Sequence, residues 1–246
     1  MKYLINYTGV RFRGLLLGDI RNILREPVML MFMILAILPL LLFILFQQTM
    51  DSFALKTWQV TQFSSYIAPL ILLLPAYLIG WVTGFLILEE RDEGPLLALS
   101  ATPIGKNGVA IYRAGLAFII SAIIALFSIP FLLPGAGLAL SLFLTTLCSI
   151  QAAMVNFILP AMASNKVQGL AMSKAINLFA LAPLLAFIPS TWRFLASPIP
   201  GFWIGELTNT PPATGLYYLI LLPLAMALHL LALLMIYRFF SAGTER

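Results

Sequence analysis

The chain has 246 residues, 61% of them hydrophobic and only 9% charged, with a formal net charge of +5. So few charges cannot cover a water-soluble fold, which excludes a soluble domain and leaves an integral membrane protein. The basic residues are scattered rather than gathered on one face, which excludes a nucleic-acid partner, and the single Cys148 excludes an intrachain disulfide or a cysteine zinc cluster.

In chain order, residues 3–25 read as an amphipathic helix. Arg11, Gly14, Gly18, Arg21, Asn22 and Arg25 share one stripe, and Phe12, Leu16, Ile20, Ile23 and Leu24 form the opposing face. That pattern suits a helix lying along anionic headgroups, so residues 1–26 are expected to be an interfacial or connecting unit. A cleaved leader is not expected, because the first long apolar run begins only near Pro27 and no small-residue cleavage site follows it. Residues 28–46 match the ~20 residues that cross a bilayer. Residues 47–62 read as a polar external loop, with Asp51, Lys56 and Trp58. A second span covers residues 63–88, where Gly80 and Gly84 form a small-xxx-small pair that permits close helix packing.

Residues 89–108 interrupt the apolar pattern: Glu89, Glu90, Arg91, Asp92, Glu93 and Gly94 precede Pro95, a short Leu/Ala run, Thr102-Pro103 and a Gly105-Lys106-Asn107-Gly108 turn. Gly94 suits a helix stop, Pro95 the first turn of a new short helix, and Thr102-Pro103 its end. A charged, turn-rich segment between two spans must lie in water, where a short helix offers a handle to another protein. This stretch resembles the cytoplasmic loop of type-2 ATP-binding-cassette exporter permeases, most of all those for drug export of the fluoroquinolone type. Glu89, Glu90, Arg91, Glu93, Gly94, Leu97, Thr102 and Pro103 carry the likeness. The resemblance implies that Glu89, Glu90, Arg91, Asp92, Glu93, Gly94, Leu97, Thr102 and Pro103 form a coupling site for a separate ATPase. It also implies that the N-terminal helix, through Arg11, Arg21 and Arg25, touches the same partner. Gly105-Lys106-Asn107 lacks the upstream Gly and the hydroxyl residue of a Gly-x-x-x-x-Gly-Lys-Ser/Thr phosphate loop, so ATP is expected to be hydrolysed elsewhere.

Span three covers residues 109–132 and, after the turn at 134–137, span four covers residues 138–163. Thr145, Ser149, Ala152 and Asn156 fall on one stripe of span four, as helix-packing positions do. Residues 164–174 read as a second cytoplasmic loop and residues 175–188 as a short fifth span carrying Pro183. Residues 189–213, rich in Pro, Trp and Gly, read as an external re-entrant segment. Its Pro200-Gly201-Phe202-Trp203 resembles the external segment that precedes the family's last span. Span six covers residues 214–237. Six spans place both ends on one side; with that side cytoplasmic, every basic residue except Lys56 and Arg193 falls inside, as positive-inside topology requires.

No gathering of nucleophiles, acid–base pairs or metal ligands is visible, so no catalytic or metal site is expected. His229, in span six, has no carboxylate or second histidine near it in the spans and reads as a packing or cavity-facing group. Gln151 and Asn156 read as helix-to-helix hydrogen-bonding groups. Asn177 is the substrate-path candidate, since in the family spans two and five of paired protomers line the central cavity. Asn156, Gln151 and His229 complete that candidate set. Asp and Glu fall in loops, tails and the coupling stretch, which argues against proton or sodium coupling within the membrane.

The expectation is therefore an all-α integral membrane protein with six transmembrane helices (residues 27–246) after an interfacial helix. It would be the permease subunit of an ATP-driven exporter in a bacterial or archaeal cytoplasmic membrane. Its expected partners are an ABC ATPase subunit, a second permease (homodimer or paralogue), lipid and a small amphipathic substrate, with no nucleic acid. No cofactor is expected on this chain, ATP and Mg belonging to the ATPase. The competing readings are an ATP-independent scaffold, a membrane-embedded enzyme using His229, and a secondary carrier.

Overall fold

The computed structural model describes residues 2–93, 105–210 and 216–244. Among them every regular element is helical, and six helices are long and apolar enough to cross a membrane. Helix α1 (Lys2–Arg25) leads into α2 (Pro27–Trp58), with Pro27 at the first helical position, where a missing N–H costs nothing. Helix α3 (Phe63–Glu93) is the central element, and α4 (Gly105–Leu132) and α5 (Leu138–Met162) pack along it. Helix α6 (Lys166–Asn177) continues through a 3-10 turn into the short α7 (Ala182–Leu185), α8 (Pro200–Asn209) follows, and α9 (Leu216–Thr244) closes the chain.

The first apolar run does not end in a loop. Helix α2 carries on through Gln47, Gln48 and Asp51 to Trp58, 32 residues in all. At 1.5 Å per residue it is about 48 Å long, more than the ~30 Å hydrocarbon layer needs, so its last turns can be polar and still helical. The expected loop over residues 47–62 shrinks to residues 59–62, where Gln59 and Gln62 take left-handed backbone angles. Asp51 holds the turn: its carboxylate accepts the Ser64 N–H and hydroxyl, both at 2.7 Å, fastening α2 to the start of α3.

The α3–α5 seam is closely packed. A Cβ on Gly80 would lie 2.5 Å from the Ala152 carbonyl oxygen, and one on Gly84 would lie 3.2 Å from that of Asn156. The paired glycines of α3 thus meet the small-residue stripe of α5, as their spacing led us to expect. Phe32 of α2 stacks on Phe85 and meets Trp81 edge-on, filling the space between α2 and α3. Cys148 is fully buried inside α5.

The second cytoplasmic loop expected over residues 164–174 is also helical. The Asn165 side chain accepts the Gln168 N–H at 2.8 Å and starts α6 at Lys166, so the fifth apolar segment begins earlier than its hydropathy indicated. Pro183 then sits in the first turn of α7. Helices α7 and α8 cross so closely that a Cβ on Gly205 would collide with the Pro183 carbonyl. Residues Gly201 to Leu207 of α8 are all buried.

One expectation about charge is overturned here. Glu206 on α8 is wholly buried, and Arg193, whose guanidinium lies 5.0 Å from the Phe194 ring, reaches it at 3.0 Å. A carboxylate thus sits inside the bundle, hidden from hydropathy by its place in a proline-rich stretch.

Candidate functional site

The ends of α3 and α4 that flank residues 94–104 carry a dense ionic network. Arg113 enters α4 soon after its start and is 1% exposed. A buried guanidinium is tolerated only when its donors are satisfied and its charge is met. Two carboxylates do this. Asp19, on the inward face of α1, accepts from Nη2 at 2.7 Å and from Nε at 3.4 Å. Glu90, in the last turns of α3, accepts from Nη2 at 2.6 Å and Nη1 at 2.9 Å. Forked pairing of this kind fixes geometry as well as charge, so α1, α3 and α4 share one rigid joint.

A second joint lies beside it. The Lys166 ammonium, at the start of α6, lies 2.8 Å from Glu26 and 3.4 Å from Glu89. Glu26 precedes α2 at its N-cap position, yet its side chain caps nothing. It serves the lysine instead, and this hydrogen bond, aided by the lysine's charge, holds the Glu26 carboxyl below its ordinary value. The Lys166 N–H donates to Asp92 at 2.9 Å, and Arg91 donates to the Ala163 carbonyl at 2.8 Å. Arg91 also borders a 290 Å³ hollow with Ser164, Gln168 and Phe240.

The sequence-expected residues are therefore distributed unevenly. Glu89, Glu90, Arg91 and Asp92 come together, each with a partner inside the chain rather than a face turned wholly to solvent. Gly94, Leu97, Thr102 and Pro103 lie outside the described residues, as do the side chains of Glu93 and Arg11. Arg21 and Arg25 are exposed on α1, as are Leu16, Ile20 and Leu24. Asp19 and Arg113 take the central roles. The signal for them was present: a lone acid in an arginine-bearing helix, and a lone arginine inside an apolar run.

The polar residues at mid-bundle separate into pairs. Gln151 and His229, both buried, meet at 3.3 Å between amide nitrogen and ring Nε2, while His229 Nδ1 donates to the Ala225 carbonyl at 2.8 Å. Asn156 donates to the Ala110 carbonyl at 3.3 Å, joining α5 to α4. Asn177 is exposed at the end of α6, apart from the other three. Among the described residues no group of His, Cys, Asp or Glu side chains has a metal-holding arrangement. The ionic cluster offers no nucleophile beside a base; what it can do is hold helix ends in register and transmit displacement.

Comparison with known proteins bears on this arrangement. A family model described as "Fluoroquinolones export permease protein Rv2686c-like" matches residues 19–237. Two curated relatives are the fluoroquinolones export permease proteins MT2760 and Rv2686c, from Mycobacterium tuberculosis strains CDC 1551 / Oshkosh and ATCC 25618 / H37Rv. Each is 33% identical over 141 residues, which is 55% of this chain and 56% of the relative. The chain thus spans about half the length of the curated relatives it matches. No solved structure matches.

Proposed function

This chain belongs to the Rv2686c-like fluoroquinolones export permease family, and from that premise we propose that it is the membrane permease subunit of an ATP-driven exporter of the ABC type. In this reading a separate ATPase docks on residues 94–104. The chain acts as a transport subunit rather than an enzyme, and pairs with a second permease in a cytoplasmic membrane, both termini inside. The cargo is amphipathic and drug-like, the class to which the names of its relatives point.

The observation that carries the reading is the joint between Arg113, Asp19 and Glu90. It fixes the two helix ends on either side of residues 94–104 and ties them to the N-terminal helix. A push delivered there moves α1, α3 and α4 as one body, and through the glycine seam it moves α5. Lys166 extends the same body to α6. Alternating access needs this stiffness, since a force applied at a flexible loop would dissipate locally.

The test is the vanadate-sensitive ATPase activity that co-purifies with the tagged chain. Because Glu89, Glu90 and Asp92 are engaged within the chain, replacing them would disturb folding and docking together. Leu97→Asp is the cleaner variant, for it leaves Glu89, Glu90 and Asp92 themselves unchanged. Wild type should bring down ATPase activity and Leu97→Asp should lose most of it. A correctly inserted wild type that brings down none sinks the proposal.

A further inference from the structure

A crevice of 180 Å³ opens between α3, α5, the α6–α7 segment, the start of α8 and α9. Its walls include Tyr77, Ile158, Phe179, Pro198 and Ala232; among the described residues Gln151 is its one amide and no charged side chain lines it. We propose that this crevice is a binding subsite for an uncharged aromatic ring bearing a hydrogen-bond donor. As a statement about cargo it rests on the exporter reading; as a statement about binding it does not.

Size decides first. Drug-sized ligands need about 300–1,000 Å³, while an apolar cavity of about 150 Å³ admits a benzene ring. The crevice therefore takes one ring of a larger molecule, not the whole. Lining decides next: two aromatic side chains and prolines give flat, mostly apolar walls, and among the described residues no carboxylate there would balance a cation's charge.

The polar handle then chooses the substituent. The Ala225 carbonyl can only accept, so His229 Nδ1 carries the proton and its Nε2 is the acceptor for the Gln151 NH₂. This leaves the Gln151 carbonyl oxygen as the free end of the amide, with no hydrogen bond among the described residues. An alkyl chain would fill the space and leave that oxygen buried and unpaired, which is costly. A phenol-like or anilide-like ring would fill the space and donate to it. His229 is thereby a positioning residue, holding the amide in the orientation that presents its oxygen.

The probes are 4-fluorophenol and fluorobenzene, followed by fluorine NMR on the purified full chain in lipid nanodiscs, with empty nanodiscs as the partition reference. Wild type should bind 4-fluorophenol about fivefold more tightly than fluorobenzene, the worth of one net hydrogen bond. Gln151→Met should erase the preference and keep fluorobenzene binding, and His229→Phe should weaken the preference with Gln151 still present. Ala232→Trp, which fills the crevice, should abolish binding of both rings while the thermal transition persists. Equal binding of the two rings by wild type, binding of neither, or a preference that survives Gln151→Met would overturn the proposal. No ATPase is present in this experiment, so its failure leaves the exporter reading standing, and an ATPase-free pull-down leaves the ring subsite standing.

Discussion

Arg113 and Glu90 clasp each other through both carboxylate oxygens, at 2.6 and 2.9 Å, from two helices whose ends flank residues 94–104. With Asp19 as the third member, the pairing is buried enough that losing the arginine strands two carboxylates. Arg113→Met should cost about 3–5 kcal/mol, read as the shift in detergent thermal unfolding. Asp19→Asn should cost less, and the two changes together should be clearly sub-additive. Additive losses would mean that the two residues do not act as one joint.

The glycine seam predicts an ordered pair of effects. Gly80→Ala puts a methyl 2.5 Å from the Ala152 oxygen, whereas Gly84→Ala puts one 3.2 Å from the Asn156 oxygen. Overpacking of the first kind costs about 1–3 kcal/mol. The second needs its neighbour to give by only a few tenths of an ångström, so it should be the milder change. Unfolding in detergent ranks them, and the reverse order would place the closest α3–α5 approach elsewhere.

A pH dependence follows from Glu26. Its folded carboxyl titrates below its ordinary value of 4.5 because Lys166 donates to it. The stabilisation is therefore full above the unfolded value and is lost as the pH falls through the lowered folded value. The pair is partly solvated, so it is worth at most about 1 kcal/mol. Glu26→Gln should be less stable than wild type at neutral pH, and the gap should close in strongly acidic buffer and shrink in high salt. A gap that widens in acid would give Glu26 a different partner.

The Asn165 side chain is one of two that cap the start of α6, Asp92 being the other. Asn165 accepts the Gln168 N–H at 2.8 Å, and Asn165→Ala should cost about 0.5–2 kcal/mol. Asn165→Asp should restore the loss, since a carboxylate caps equally well at a helix N-terminus. If the alanine variant melts with wild type, the Asn165 cap is dispensable and α6 is held by its packing and by the contacts of Lys166.

Much of the architecture could be read from the chain, since apolar run length and the glycine spacing of α3 are local signals. What escaped was set by distance. Asp19 meets Arg113 across 94 positions, and Lys166 meets Glu89 across 77. Residue-by-residue hydropathy sees a solvated acid and a solvated lysine there, because neither counter-charge is nearby in sequence. The acids of residues 89–92 looked like an outward face for the same reason. The extra turns of α2 and most of α6 were hidden by polar residues that a helix end outside the hydrocarbon tolerates. Glu206 needed the fold of α8 to bring Arg193 alongside it.

The burial of Cys148 has a use beyond packing. Thiol reagents need an accessible thiolate, and this sulfur is sealed within α5. The natural chain is thus already silent to maleimides and cross-linkers. Cysteines introduced one at a time at exposed positions such as Ile111, Leu234 or Phe127 would report alone. The neighbours of each helix face, in lipid or against another subunit, can be mapped on the protein without first removing a native residue.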